Sequence, residues 1–285
     1  MNTGARAFTH PHFGLIVQKE RLNMDLHLEG KTALVTGASR GIGLAVARTL
    51  TAEGVRVAGA ARTITPELAE ATQTAIAADL STPEGAAAAV GTALAEFGGI
   101  DILVNNVGAG DPDRMGLGGF LDTDDSQWRY LLNLNLFSAV WTSRAALPSL
   151  VERRGAIVNL GSINARFPST GPVGYSEAKA ALVAFGKRLS EEFGPQGVRV
   201  NTVSPGPVGT GLWRDPEGFG ARVAAANGAP HADFLAAMPA AFGITSGRIS
   251  DPEEVAALIA FLASPAAGNI TGTEIIADGG IIKTT

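Results

Sequence analysis

The sequence predicts an α/β domain in which parallel strands alternate with helices. Three observations carry this. Short apolar runs bounded by glycine or polar residues recur between longer helical patterns. The first run passes through a glycine-rich turn directly into a helix. The chain has 285 residues, 46% hydrophobic and 17% charged, enough for one large core at a length routine for a single α/β domain.

Residues 1–27 stand apart. Met1 to Arg6 and His10-Pro11-His12 are polar and aperiodic, and Gly14-Leu15-Ile16-Val17 is too short for a signal-peptide core. His10 and His12 have no carboxylate or third histidine nearby, so no metal is expected there. A second methionine, Met24, precedes the first strand. Residues 1–27 therefore read as a flexible extension to a domain of residues 28–285.

The first strand is residues 32–36. The turn Gly37-Ala38-Ser39-Arg40-Gly41-Ile42-Gly43 follows and opens a helix. Strand, glycine turn and helix together present bare backbone N–H groups and a positive helix end to a phosphate. A merely tight turn is the alternative. Residues 55–61 form the second strand, whose end is Arg62-Thr63 with no acid. NAD-binding units carry a carboxylate there for the ribose 2′-hydroxyl. Arg62, with Arg40 in the turn, suits a 2′-phosphate instead, which favours NADP(H) and leaves NAD(H) possible. Two solvated arginines are the alternative.

The third strand, residues 74–80, ends in Asp79-Leu80, with Asp79 placed to meet an adenine. Thr82 and Pro83 open a helix through Phe97. A fourth strand, 100–104, leads into Asn105-Asn106-Val107-Gly108 and a loop to 119. A long helix starts at 123–126 and is expected to end near Pro148. Asn135 lies in its middle, where asparagine is a poor helix former. The fifth strand, 155–160, is followed by Gly161-Ser162.

Gly171-Pro172 then breaks the chain before the helix that begins at Tyr175. Tyr175 and Lys179 are one turn apart and project from one face. A free tyrosine, with pKa about 10, is only ~0.1% phenolate at pH 7. A nearby ammonium is expected to lower that value, and reaching about 7 takes ~4 kcal/mol, which one cation in a dry cleft together with a cofactor charge would supply. A half-buried tyrosine beside a surface lysine is the alternative. A sixth strand, 198–203, leads to the rigid loop 204–210. Residues 211–247 break the alternation and read as a lid or binding loop. A helix from 251 to 262 and a last strand, 273–277, complete the chain.

From about residue 28 to 282 the sequence resembles the short-chain dehydrogenase/reductase family. The resemblance rests on Thr36 to Gly43, Asn105-Asn106-Val107-Gly108, Asn135, Ser162 thirteen residues before Tyr175-Ser176-Glu177-Ala178-Lys179, and Pro205 to Thr210. It implies a single doubly wound Rossmann domain with a seven-stranded parallel sheet, assembled as a tetramer or dimer. It implies that Tyr175 passes a proton to or from the substrate oxygen, and that Lys179 lowers its pKa and holds the nicotinamide ribose. Ser162 would hydrogen-bond the substrate oxygen, and Asn135 would open its helix to hold a relay water. Cofactor contacts are expected from Gly37, Ser39, Arg40, Gly41, Ile42 and Gly43 in the turn. Arg62, Asp79, Leu80, Asn106 and Gly108 are expected to follow, with Pro205, Val208 and Thr210 at the nicotinamide end. Val107 and Gly161 depart from the usual alanine and serine, and Glu177 is less usual and expected to face solvent.

The expected activity is hydride transfer between NADP(H) and the carbonyl or secondary alcohol of an apolar or amphipathic small molecule. A 3-oxoacyl-thioester reductase and an NAD-dependent alcohol dehydrogenase are the alternatives, and a sugar-like polyol is less favoured. A non-catalytic dinucleotide sensor would lack the tyrosine or lysine, both present here. A methyltransferase would need the strand-two acid. His10, His12, His27 and His231 are too scattered for a metal-dependent hydrolase. Net charge is -5 with no basic cluster, which gives no case for nucleic acid or an anionic membrane. There are no cysteines, so disulfides and thiolate metal sites do not arise, and the cytoplasm is the default compartment.

Overall fold

The computed structural model describes residues 24–108, 112–116 and 118–283. Seven strands form one parallel sheet in the order β3-β2-β1-β4-β5-β6-β7. They are β1 (Thr32–Thr36), β2 (Arg56–Ala61), β3 (Thr74–Ala77), β4 (Ile102–Asn105), β5 (Ala156–Leu160), β6 (Arg199–Pro205) and β7 (Glu274–Ala277). Strand order reverses between β1 and β4, and the crevice at the carboxyl ends of those strands is where such sheets bind ligands.

Alternation along the strands explains two helix layers. Ala33, Val35, Val104, Val158 and Val203 face one core, with α1 (Gly41–Ala52), α2 (Pro66–Ala71) and α11 (Pro252–Ala263) around it. Leu34, Leu103, Ile157 and Val200 face the other, against α3 (Pro83–Phe97), α6 (Ser138–Arg153) and α7 (Tyr175–Phe193). A parallel sheet covered on both faces needs strands that are apolar throughout, and β1 and β5 are fully buried along their length. Each such aliphatic side chain contributes roughly 1.5–3 kcal/mol.

Several expectations are corrected. The long helix does not end near Pro148: α6 runs on to Arg153. Proline removes one N–H only, Pro148 is exposed, and Ala146 and Leu150 anchor the turns around it in the core. The same helix is not continuous upstream, because α5 (Asp125–Leu132) meets α6 through a π-helical turn, Asn133–Phe137. The third strand ends at Ala77, short of Asp79. Leu26, which the sequence reading placed in the extension, packs against the core beside the buried Leu28. His10 and His12 lie outside the described residues.

Residues 211–247 are not an irregular loop. They hold three short helices, α8 (Gly211–Arg214), α9 (Phe219–Ala226) and α10 (His231–Ala241). Trp213 meets Phe219 and Phe242 edge-on, with centroids 5.8 and 6.2 Å away. A parallel bridge between Val208 and Ser250 closes the base of this segment. One further short helix, α4 (Pro112–Met115), lies in the loop after β4.

Candidate active site

The carboxyl ends of β4 and β5, the π turn and the start of α7 converge on one cluster. Tyr175 is the first residue of α7, and Gly174 before it has φ 85°. A side chain at 174 would also press on Leu131 at 3.0 Å, so glycine is required for both reasons. Glu177 is exposed, as expected, but its carboxylate accepts the Gly174 N–H at 2.7 Å and so caps the helix that presents Tyr175.

Lys179 is 2% exposed, and its ammonium donates to the Leu160 carbonyl at the end of β5 at 2.7 Å. Burial lowers its pKa to about 7. Its Nζ sits 5.8 Å from the centre of the Tyr175 ring. The expected lowering of the Tyr175 pKa by this ammonium is not what the protein shows. Desolvation raises the phenol above its usual value, and Ser162 is its hydrogen-bond partner. Lys179 is too far away and too readily neutralised to reverse the effect of burial.

Ser162 is buried just past β5. Asn164 touches it twice: the Asn164 N–H donates to Ser162 Oγ at 3.2 Å, and Ser162 Oγ donates to Asn164 Oδ1 at 3.0 Å. Asn164 is absent from the sequence-based set. Its signal was a short amide two residues after a turn serine, the spacing of local side-chain to backbone bonds. Asn135 is buried in the π turn, with its amide donating to the Leu131 carbonyl at 3.0 Å. π turns inside helices recur at functional sites. Gly108 sits against both Lys179 and Asn135: a Cβ there would fall 2.9 Å from Lys179 Nζ and 3.1 Å from Asn135 Oδ1. The structure thus brings Gly108 beside Lys179 and Asn135, and Lys179 beside Tyr175.

Gly161 has a physical reason. A Cβ there would fall 2.4 Å from Ser204 Oγ, which donates to Glu274 Oε1 at 2.7 Å, and Arg166 holds the same carboxylate at 2.8 Å. Ser204 occupies the space a side chain at 161 would need.

The glycine turn fits a dinucleotide phosphate. Gly37 and Gly41 have φ 65° and 57°, and a Cβ on Gly43 would fall 2.3 Å from the Gly37 carbonyl. No side chain caps α1 at Arg40, and its first turn has no acid, so the first N–H groups stay open. Thr210 lies beside Gly41, bringing the loop of Pro205 and Val208 to the same turn. Asn106 donates its amide to the Thr36 and Gly37 carbonyls at 2.8 and 3.0 Å. Both amide hydrogens serve the turn, so its role is to hold that backbone. Arg40 and Arg62 are exposed, and Thr65 Oγ1 bonds the Ser39 carbonyl at 3.3 Å, drawing the end of β2 onto the turn. Asp79 bonds Ser81 locally at its exposed end, and Leu80 is buried beneath it. Ile42 is half-buried at the start of α1. Among the described residues no cluster of metal-ligating side chains occurs, and no helix is long and apolar enough to cross a membrane.

Comparison with known proteins finds relatives along most of the chain. A family model described as enoyl-(acyl carrier protein) reductase matches residues 37–282. A 3-oxoacyl-(acyl-carrier-protein) reductase from Vibrio cholerae is 35% identical over 262 residues, spanning 90% of this chain and 99% of that protein. L-sorbose reductase from Gluconobacter frateurii, solved with NADPH and L-sorbose, superposes with TM-score 0.83 at 33% identity, covering 92% of this chain and 100% of the other. A Serratia marcescens short-chain dehydrogenase/reductase variant superposes with TM-score 0.75 at 32% identity, over 89% and 98% of the two chains.

Proposed function

Because the chain belongs to the short-chain dehydrogenase/reductase family and is thereby an oxidoreductase of CH–OH groups, we propose that it works with NADP(H) on an apolar or amphipathic carbonyl or secondary alcohol. The observation that carries the reading is the convergence of Tyr175, Ser162, Lys179 and Asn135 at the sheet's switch point, beside an uncapped glycine turn.

The open N–H groups of α1 and residues Gly37 to Gly43 would hold the cofactor's phosphates, and Lys179 the nicotinamide ribose. When bound, the dinucleotide supplies or accepts the hydride. The chain's own groups handle the proton. In reduction, Tyr175 gives its proton to the carbonyl oxygen as negative charge builds there, and Ser162 donates a hydrogen bond to the same oxygen. Lys179, poised near pH 7, releases or takes up a proton one turn away. In oxidation the direction reverses.

Arg40 and Arg62 support NADP(H), as does the NADPH bound in the sorbose reductase. Arg62→Ala is expected to weaken NADPH by about tenfold or more while leaving NADH within about twofold, the difference being one charge-assisted phosphate contact. Fluorescence titration of both cofactors reads this, and equal losses would remove Arg62 from 2′-phosphate recognition.

The aromatic cluster of Trp213, Phe219 and Phe242, with the exposed Phe167 near Ser162, supports an apolar substrate. The 35% identity to a 3-oxoacyl-thioester reductase favours an acyl-thioester ketone as second reading. A panel of aliphatic ketones, a 3-oxoacyl thioester and a ketohexose, followed by NADPH absorbance, separates them. Highest kcat/KM is expected on the ketones, and preference for the ketohexose would overturn the apolar assignment. A homo-oligomer and residues 211–247 as a lid belong to the same proposal.

A further inference from the structure

A chain of directed hydrogen bonds runs from the loop after β5 into the proton-transfer site. Its direction can be deduced from the outer end. Thr170 Oγ1 has one hydrogen, which it donates to the Phe167 carbonyl at 2.8 Å. Thr170 can therefore only accept from Asn164, and the Asn164 amide donates to it at 2.7 Å. That contact fixes which end of the amide is nitrogen, so Oδ1 must face Ser162. An amide oxygen cannot donate, so the single Ser162 hydrogen goes to Asn164 Oδ1 across 3.0 Å. Ser162 Oγ already accepts the Asn164 N–H. What it has left for Tyr175 is a lone pair.

We propose that Asn164 is a positioning residue that fixes the direction of the Ser162 hydroxyl, so that in the resting site Ser162 accepts from Tyr175 rather than donating to it. The inference rests on the oxidoreductase reading above and adds a residue to it. In the resting state the phenol keeps its proton, because the Ser162 hydroxyl offers no hydrogen to a phenolate. When a carbonyl oxygen enters, it competes with Asn164 Oδ1 for the Ser162 hydrogen. The Ser162 O–H then turns to the substrate while Tyr175 transfers its own proton to that oxygen. Serine is thus held in reserve, and the amide is returned to after turnover.

Other charged groups near Tyr175 do not confuse the test. Lys179 and Glu177 lie on its own helix, the latter engaged with Gly174. Arg166, on the loop, is paired with Glu274. On α5, Arg129 pairs with Asp125. The π turn Asn133–Phe137 and β5 bring no titratable side chain.

The chain has two tyrosines, so Tyr130→Phe leaves Tyr175 as the only phenol, and its ionisation can be followed by phenolate absorbance without any substrate. Asn164→Asp puts a negative acceptor opposite Ser162 and is expected to raise the titration midpoint by about one pH unit. Asn164→Val releases the hydroxyl to donate to the phenolate and is expected to lower the midpoint by a similar amount. Thr170→Val, remote from the reacting atoms, frees the amide to flip and should move the midpoint in the valine direction by less. The alkaline limb of alcohol oxidation should follow the same order. A merely structural asparagine would move all three variants alike or not at all, and either result overturns the proposal. If the phenolate midpoints shift as stated while no substrate turns over, the rotor survives and the oxidoreductase assignment fails.

Discussion

Tyr175→Phe is expected to cut turnover by about 10²- to 10⁴-fold, the range that a positioned acid–base group contributes. The phenol is the one group at the site able to give a proton directly to a carbonyl oxygen while Lys179 is engaged with the Leu160 carbonyl. Removing one oxygen leaves the ring, the cap at Gly174 and the glycine turn in place. Binding of the cofactor should therefore change by no more than about twofold, and the loss should fall in kcat rather than in cofactor affinity. Stability should fall by about 0.5–1.5 kcal/mol, the worth of the lost hydrogen bond to Ser162. Stopped-flow absorbance of the reduced cofactor, with calorimetry of the same sample, reads all three. Turnover within tenfold of the unaltered protein would move the proton to another group, and Ser162 would be the first to test.

Much of this site was legible in the sequence because its parts are backbone-determined. Glycines at 37, 41 and 43 announce a turn that only a bare backbone can make, and Tyr175 and Lys179 share a face through helix geometry alone. β1 matches its expected bounds because its apolar run is cut off by Gly37. What escaped depends on tertiary contacts. Pro148 signalled a stop, but core anchoring on both sides overrode the loss of one hydrogen bond. At Asn135 the residue itself signalled only a poor helix former, the opening of the helix being implied by the family resemblance alone, and α2 went unread because its six residues are held by a Thr65 cap rather than by periodicity. Asn164 was invisible for a different reason. Its role follows from which neighbour has a hydrogen left to give, and that is decided by Thr170 and Phe167 together. The direction of the Tyr175 shift failed because spacing gives proximity to a charge but says nothing of dehydration, and here dehydration acts on both partners.

Lys179→Met should abolish turnover and yet leave the fold as stable or more stable at pH 7. A fall in pKa from 10.5 to about 7 corresponds to on the order of 5 kcal/mol against holding the ammonium in its buried site at low pH. Methionine fills a similar volume without that burden. It does leave the Leu160 carbonyl without its donor, a loss of about 1–3 kcal/mol, so the balance favours the substitution. The pH dependence isolates the cause. Between about pH 7 and 10 the unfolded chain holds a proton on this lysine that the folded chain has released, so stability from this group rises with pH across that window. Below pH 7 both states are protonated and the penalty is complete; above about 10 neither is, and it is gone. The melting temperature of the unaltered protein should therefore climb relative to Lys179→Met from pH 7 toward 9.5, by several degrees for a chain of this size. A variant that melts lower at pH 7, with no convergence at higher pH, would make the lysine a structural staple to β5 rather than an amine kept near neutrality for proton transfer.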